Sequence, residues 1–335
     1  MVRCTQVKKG FMKALFAAAM MFMSCFPLDA RAQNVQSLEF KSLTCVNKTR
    51  FNDDCKSVLI QARYFKGSTD RIVFITHGSP GIDERHERYA RHLNSLGISA
   101  VILDHWGSRG LRKSHENFAE SEKKGARAFN MTLDAMHGMQ FFKDQYDYKF
   151  FGHIGESVGG TAATWFVKKY MYSEHQRIVG RQALQPQAVV ALYAGCYEKT
   201  ESDEFVKVPL ANVIGSLDNN SPAALCQEWS VWANQRGANI SYIELAGQHH
   251  DFDMGSPVKA YAGAENPSEC ARYVDREAIT WLKTGQKYTA NAAGFTQFTR
   301  DCMLPGKVKP TLAGHTGNPN TGFREWGDFF VRQLR

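Results

Sequence analysis

The 335-residue sequence lacks several patterns that define common protein classes. It contains no C-x-x-C pair and no H-E-x-x-H motif, which argues against a zinc site and against thioredoxin-like redox chemistry. Its body has no dense run of Lys and Arg, so we expect no nucleic acid partner. It also has no internal repeat and no low-complexity tract. We expect a globular protein that needs no metal ion and no organic cofactor.

An uncharged apolar run at 14–26 is too short for a membrane span, which takes about 20 apolar residues. Three lysines between positions 8 and 13 precede it, and A-x-A at 30–32 follows it, which is typical of a secretory signal peptide. The alternative is an uncleaved segment lying in the membrane interface. We expect residues 1–32 to be a signal peptide and the protein to be secreted or periplasmic, without a stable membrane anchor. The net charge of +8 falls to +4 without residues 1–32, which hold five basic residues and one acidic residue.

Six cysteines follow residue 32, and an even number in an exported chain predicts three disulfides. Fifteen pairings of six cysteines are possible. Proximity in the sequence favours Cys45–Cys55, Cys196–Cys226 and Cys270–Cys302, with free buried thiols as the alternative.

Short apolar runs alternate with segments of helical periodicity, which predicts a mostly parallel sheet with helices on both faces. Strands are predicted at 57–65, 71–76, 98–104, 149–155, 188–193, 208–215 and 240–245. Helices are predicted at 84–96, in the second half of 116–145, and at 157–171, 222–235, 268–283 and 322–334. The short connection between 188–193 and 208–215 predicts no large lid domain. These patterns divide the chain into a signal peptide at 1–32, an N-terminal extension at 33–56, the α/β domain at 57–285, and a C-terminal extension at 286–335 that a Cys270–Cys302 disulfide would tie to the body.

The segment Gly155-Glu156-Ser157-Val158-Gly159 joins a predicted strand to a predicted helix and matches the G-x-S-x-G nucleophile elbow. A serine on such a turn presents its hydroxyl at the edge of the sheet, and the glycines allow strand and helix to approach closely. Val158 would offer its backbone N–H beside the nucleophile, where an oxyanion needs a donor. Glu156 is expected to face solvent.

A serine nucleophile needs a base and an acid that orients the base, in the chain order Ser, Asp or Glu, His. Asp218 directly follows the predicted strand 208–215 and is the candidate acid, with an Asx-turn as the alternative. The weaker candidate acids, none of which directly follows a strand, are Asp203, Glu204 and Asp251. Either His249 or His250, after the strand 240–245, could be the base, and spacing alone leaves both open.

The glycine-rich loop after the strand 71–76 is expected to supply the second oxyanion donor, either Ser79 or, as runner-up, Gly78. His77 in the same loop is expected to be a structural histidine. Arg109 could hold a substrate carboxylate or pin its own loop, and Trp106 could line an acyl pocket or simply pack.

These segments resemble the α/β-hydrolase superfamily, and within it the dienelactone hydrolase-like group. The resemblance covers about residues 57–285 and rests on FITHGSPG at 74–81, VILDHWGSRG at 101–110, GESVGG at 155–160, IGSLD at 214–218 and GQHHDFD at 247–253. It implies the α/β-hydrolase fold, and its H-x-F pattern places the family histidine on His250. Dienelactone hydrolase itself uses a cysteine where this chain has Ser157, which favours an ordinary serine esterase.

The sequence therefore predicts an exported serine hydrolase that cleaves small-molecule esters through an acyl-enzyme. Ser157 is the predicted nucleophile, His250 the base and Asp218 the acid. A peptidase of the prolyl-oligopeptidase type is one alternative, although no propeller repeat precedes the α/β domain. A hydrolase-fold binding protein without catalysis is the other. Oligomeric state stays open.

Overall fold

The computed structural model describes residues 35–49, 52–112, 124–261, 266–303 and 309–335. The expected signal peptide at 1–32 lies outside the described residues, and so does most of the first half of the segment 116–145. Among the described helices, none combines the length and the hydropathy that a bilayer span requires.

An eight-stranded sheet forms the centre of the molecule, in the strand order β1-β2-β4-β3-β5-β6-β8-β9. The strands β1 and β2 form an antiparallel hairpin, β2 runs antiparallel to β4, and all the remaining pairs are parallel. This is the strand order of the α/β-hydrolase fold. The strands are β1 Val35–Thr49, β2 Asn52–Phe65, β3 Arg71–Thr76, β4 Ser99–Asp104, β5 Phe150–Glu156, β6 Ala188–Leu192, β8 Pro209–Gly215 and β9 Asn239–Leu245.

Seven α-helices are present in the described residues, and helices cover both faces of the sheet. Successive residues of β3 alternate between two cores. Phe74 belongs to the core that includes residues of the helices Ala128–Gln145 and Ala223–Gln235, and Ile75 belongs to the core that includes residues of the helices Glu84–Ser95 and Phe323–Gln333. This is the two-faced burial expected of a mostly parallel sheet. The helices are α1 Glu84–Ser95, α2 Ala128–Gln145, α3 Val158–Thr164, α4 Lys169–Val179, α5 Ala223–Gln235, α6 Ala292–Cys302 and α7 Phe323–Gln333.

The N-terminal part of the described chain contributes to the central sheet. β1 and the start of β2, which lie within the segment 33–56 expected to be an N-terminal extension, pair with each other in that sheet. The last helix, α7, belongs to the core as well, since Trp326 and Phe330 are fully buried against the sheet. Both ends of the described chain therefore complete the hydrolase domain.

The predicted helix at 268–283 is wrong. A short 3₁₀ turn at Pro267–Glu269 leads instead into β11 (Arg272–Val274) and β12 (Ala278–Trp281), which form an antiparallel hairpin. Asp275 explains the break, because its carboxylate accepts the backbone N–H groups of residues 277 and 278 at 2.8 and 2.7 Å and so closes a turn. Local side-chain hydrogen bonding overrides the helical spacing of the apolar residues.

This hairpin belongs to a small four-stranded sheet in the order β13-β12-β11-β7, with β7 at Glu198–Thr200 and β13 at Lys287–Thr289. Its apolar centre includes Ile279, Tyr288 and Phe298 of α6. A further two-stranded pair joins β10 (Lys259–Tyr261) to β14 (Thr311–Ala313).

The three cysteine pairs favoured by proximity lie at disulfide distance. Their Cα–Cα separations are 4.0 Å for Cys45–Cys55, 5.0 Å for Cys196–Cys226 and 5.3 Å for Cys270–Cys302. The first links β1 to β2, and the last links the start of the small sheet to the end of α6. Such pairing is consistent with an extracellular or periplasmic location.

Candidate active site

Ser157 occupies a strained turn between β5 and α3. Its backbone has φ 54° and ψ −116°, a conformation that non-glycine residues rarely adopt. A Cβ at Gly155 would lie 2.1 Å from the carbonyl oxygen of Gly159, and one at Gly159 would lie 2.6 Å from that of His77. Glycine is therefore required at both positions for strand and helix to approach, and the turn exposes the serine hydroxyl at the sheet edge.

The loops after β8 and β9 bring an acid and a base to this hydroxyl, which lies on the turn after β5. The distance from Ser157 Oγ to His250 Nε2 is 3.2 Å, and that from His250 Nδ1 to Asp218 Oδ2 is 2.9 Å. We call these three residues the edge triad. The chain order of its members and its hydrogen-bond order are those of hydrolase triads.

Asp218 both forms a turn and makes a hydrogen bond to a histidine, the two alternatives considered for it. Its Oδ1 accepts the backbone N–H groups of Asn220 at 2.8 Å and Ser221 at 2.7 Å, which is a turn-forming role. Its Oδ2 remains for His250, and its side chain is fully buried. The turn thus holds the carboxylate in the position that the imidazole needs.

The structure distinguishes His250 from His249, and Asp218 from the other candidate acids. His249 has a buried Nδ1 without a hydrogen-bond partner among the described residues, and it contacts neither Ser157 nor Asp218. The other candidate acids are engaged elsewhere: Asp203 with Lys168, Glu204 with Lys169 and Asp251 with Arg85.

The electrostatics of His250 favour the charged imidazolium. Burial alone would lower the pKa of His250, but the adjacent Asp218 carboxylate outweighs it, by charge and by hydrogen bonding, and raises the pKa to about 9. The ring of Tyr193 lies edge-on to the His250 ring, with 4.9 Å between the centroids. The site is therefore built to stabilise the charge that a general base acquires.

The loop after β3 is fixed by hydrogen bonds of its own histidine. His77 Nε2 accepts the N–H of His105 at 3.2 Å, so its Nδ1 carries the proton and donates to the carbonyl of Gly78 at 2.8 Å. Burial keeps the pKa of His77 well below its usual value. This agrees with the structural role predicted for His77.

Gly78, the runner-up oxyanion donor, is not free. Its N–H donates to the buried Glu156 Oε1 at 2.6 Å. This leaves Ser79 as the donor candidate on that loop, and the carbonyl of Ser79 is held by Trp106 Nε1 at 3.2 Å. Val158 begins α3, where the first N–H groups have no intrahelical partner.

Both predicted substrate-binding side chains make contacts within the protein. Arg109 makes a bidentate ion pair with Asp134, at 2.8 and 3.0 Å, and also donates to Thr44 Oγ1 and to the carbonyl of His105. Its side chain is 3% exposed. Trp106 is buried and packs its ring against that of His77. Arg109 therefore pins its own loop to α2, and Trp106 supports the loop after β3.

Sequence reasoning missed a charge cluster under the edge triad, made of the half-buried Asp83 and the buried Arg85, His86, Glu156, Asp251 and Asp253. Glu156 is fully buried rather than facing solvent, and Arg85 lies 2.7 Å from Asp251 and 3.8 Å from Glu156. The signal was available, because Arg85 precedes the apolar Tyr89 and Leu93 at helical spacing on the buried face of α1. The cluster joins α1, the elbow strand and the loop after His250.

Comparisons with known proteins found low-identity structural neighbours. No protein-family model matches the chain. No curated protein matches it either. A dienelactone hydrolase from Anabaena variabilis is 12% identical with a TM-score of 0.47, and the alignment covers 90% of this chain and 100% of that one. A thermophilic esterase from Thermogutta terrifontis is 14% identical with a TM-score of 0.45, covering 64% and 84% of the two chains.

An esterase from Pyrococcus furiosus is also 14% identical, with a TM-score of 0.43 and coverage of 64% and 86%. At such values the likeness carries no conclusion about activity. The strand order and the strained turn at Ser157 are the features that identify the architecture. On that evidence, the chain has the α/β-hydrolase fold.

Proposed function

We propose that this chain is an exported serine hydrolase that cleaves carboxylic esters through an acyl-enzyme. The observation that carries the proposal is the edge triad, in which a strained serine lies 3.2 Å from an imidazole that is itself 2.9 Å from a buried carboxylate. The three disulfide pairs support export.

Acylation begins when Ser157 Oγ attacks the ester carbonyl carbon and gives its proton to His250 Nε2. Asp218 accepts a hydrogen bond from His250 Nδ1–H and stabilises the imidazolium. The backbone N–H groups of Val158 and Ser79 receive the developing oxyanion. His250 then returns the proton to the leaving alkoxide, and Ser157 is left acylated.

Deacylation repeats these steps with water. His250 takes a proton from the attacking water, the tetrahedral intermediate again forms at the two N–H groups, and Ser157 leaves with the proton. Besides water and the leaving alkoxide, only Ser157 and His250 give or receive the proton. Glu156 fixes the loop that carries Ser79, because it holds the N–H of the preceding Gly78.

A panel of p-nitrophenyl esters with short and long acyl chains tests the proposal. We expect hydrolysis by the wild-type protein and loss of activity in Ser157→Ala. The matched control is Ser202→Ala, which removes an exposed hydroxyl on a surface loop and should leave the rate unchanged. Hydrolysis of none of the esters by a folded protein would refute the proposal and favour a non-catalytic binding protein. Hydrolysis of proline-containing peptides alone would favour a peptidase.

A further inference from the structure

One segment of the C-terminal region contacts both loops that complete the edge triad. We call the residues 309–315 the strap. It contains β14, which pairs with β10, and its Thr311 and Ala313 are 4% and 3% exposed. The strap is therefore packed into the protein rather than lying loosely on its surface.

The strap holds the acid loop through Asn219, the residue after Asp218. Asn219 Nδ2 donates to the carbonyl of Pro310 at 2.8 Å, and Asn219 Oδ1 accepts the N–H of Leu312 at 2.8 Å. These two hydrogen bonds satisfy both the donor and the acceptor of the Asn219 side-chain amide, as a neighbouring β-strand does for a backbone amide. Asn220 adds a third bond, from Nδ2 to Thr311 Oγ1 at 3.0 Å.

The strap holds the base loop through the backbone of His250 itself. The N–H of Gly314 donates to the carbonyl of His250 at 2.9 Å, next to a β-bridge between His250 and Ala313. Gly314 has φ 127°, and a Cβ there would lie 2.6 Å from the carbonyl oxygen of Pro257. A side chain at 314 would force the strap away from the loop.

A buried asparagine attaches the start of the strap. Asn266 Nδ2 donates to the carbonyl of Asn219 at 3.1 Å and to that of Lys309 at 3.0 Å, and Asn266 is 5% exposed. Asn266 caps the 3₁₀ turn Pro267–Glu269, directly before the Cys270–Cys302 disulfide. The small sheet, which the disulfide cross-links to α6, thus anchors the start of the strap.

Asp218 and His250 follow the neighbouring strands β8 and β9, whose loops are joined directly where the N–H of Leu217 donates to the carbonyl of Gln248 at 2.8 Å. The strap adds a second connection, which reaches the residue after Asp218 and the backbone of His250 itself. We infer that Asn219 is a positioning residue: through the strap, it holds Asp218 and His250 at the separation that the proton transfer requires. This inference rests on the proposed function. A misplacement of about 1 Å in such a site can lower a rate about 100-fold.

The test compares Asn219→Ala and Gly314→Ala, one on each side of the connection, with Asn239→Ala as the matched control at an exposed position of β9. We expect both strap variants to lower kcat for p-nitrophenyl acetate about 10- to 100-fold. The KM should change less, since the substrate contacts are kept. The control should retain the wild-type kcat. Thermal melting shows which variants are folded.

Two further measurements separate positioning from general destabilisation. The pKa of His250, followed by NMR and assigned with His250→Gln, should fall toward its ordinary value in both strap variants. The double variant should be no slower than the slower single variant, because both remove one connection. A wild-type kcat and His250 pKa in folded Asn219→Ala would overturn the inference, and so would fully additive effects.

The proposed function can fail while the inference about Asn219 still stands. If the wild-type protein hydrolyses no ester, the esterase proposal fails, and the NMR comparison still decides the strap. An unchanged His250 pKa in Asn219→Ala then overturns the inference, and a lowered pKa supports it.

Discussion

The described residues contain two hydroxyl–imidazole–carboxylate relays, and the proposed function assigns catalysis to one of them, the edge triad. The second, which we call the buried triad, consists of Thr76, His105 and Asp134. Thr76 Oγ1 lies 3.2 Å from His105 Nε2, and His105 Nδ1 lies 2.7 Å from Asp134 Oδ2. All three residues are fully buried. The hydrogen-bond order is the same as at the edge, so order alone does not define the site.

The two carboxylates differ in their other partners. Asp134 is neutralised by a bidentate pair with Arg109, whereas Asp218 accepts only backbone N–H groups besides His250 among the described residues. Burial lowers the pKa of His105, and the charge of Arg109 adds to the lowering, although Asp134 opposes it. At the edge, Asp218 outweighs burial and raises the pKa of His250 to about 9. The edge triad therefore differs from the buried triad in two ways: its carboxylate has no arginine partner among the described residues, and its hydroxyl is only partly buried.

Removing the two hydroxyls should give the largest contrast. Ser157→Ala should lower kcat by a factor on the order of 10⁶, because no other hydroxyl occupies the elbow. Thr76→Val should keep most of the activity and lower stability, since it leaves His105 and His153 without their shared partner. Ester kinetics and thermal melting of both variants check this. A severe loss of kcat in folded Thr76→Val would remove the distinction.

Removing the charge of each carboxylate should give the same contrast between the two relays. Asp218→Asn should lower kcat about 10⁴-fold, because the imidazole loses its orientation and its charge partner. Asp134→Asn should instead cost about 3–5 kcal/mol of stability, because the buried Arg109 is left without a counter-charge. Denaturant unfolding and kinetics of each variant separate the two effects. Equal losses of kcat would show that both relays serve the reaction.

The pH dependence of stability should have one sign for His250 and the opposite sign for the buried histidines whose pKa is lowered. The folded pKa of His250 lies above its unfolded value of about 6.5, so its stabilisation is present below pH 6.5 and is lost as the pH rises through about 9. Since the base must be neutral, kcat/KM should rise through the same range. A kcat/KM profile that is flat between pH 6.5 and 9 would contradict the raised pKa.

The buried histidines act in the opposite direction. Burial lowers the pKa of His153 to about 3 and that of His137 to about 4. Their stabilisation is present above pH 6.5 and is lost as the pH falls toward 4 and 3, with a slope of up to about 1.4 kcal/mol per pH unit for each group. Unfolding free energies measured between pH 7 and 4 check this. Unchanged stability over that range would show that these rings already carry charge in the folded protein.

The smallest effect should come from Arg109→Lys. Lysine keeps the charge but loses the two parallel bonds to Asp134, so a lower melting temperature with unchanged KM and kcat is expected. A raised KM with unchanged melting would instead restore the substrate-binding role that the sequence left open.

The elbow and the triad were predictable because each follows a strand and the strands are strongly apolar. The carboxyl ends of parallel strands lie at the same end of the sheet, so residues that directly follow the strands come together whatever the conformation of the loops. Glu156 and Arg85 were missed because a charged residue is assumed to face solvent unless its partner is known, and their partners lie far away in the sequence. The hairpin at 272–281 and the strap were missed because the hydrogen bonds of single side chains, those of Asp275 and Asn219, decide their course.

The central claim is that Ser157 alone is the nucleophile, and peptide mapping after fluorophosphonate treatment tests it most directly. Trypsin releases Ser157 in the peptide 150–168, and Thr76 and Ser79 in the peptide 72–85. The account predicts that the adduct mass is confined to 150–168 in the wild-type protein and absent from Ser157→Ala. An adduct on 72–85, or labelling that persists in Ser157→Ala, would contradict it.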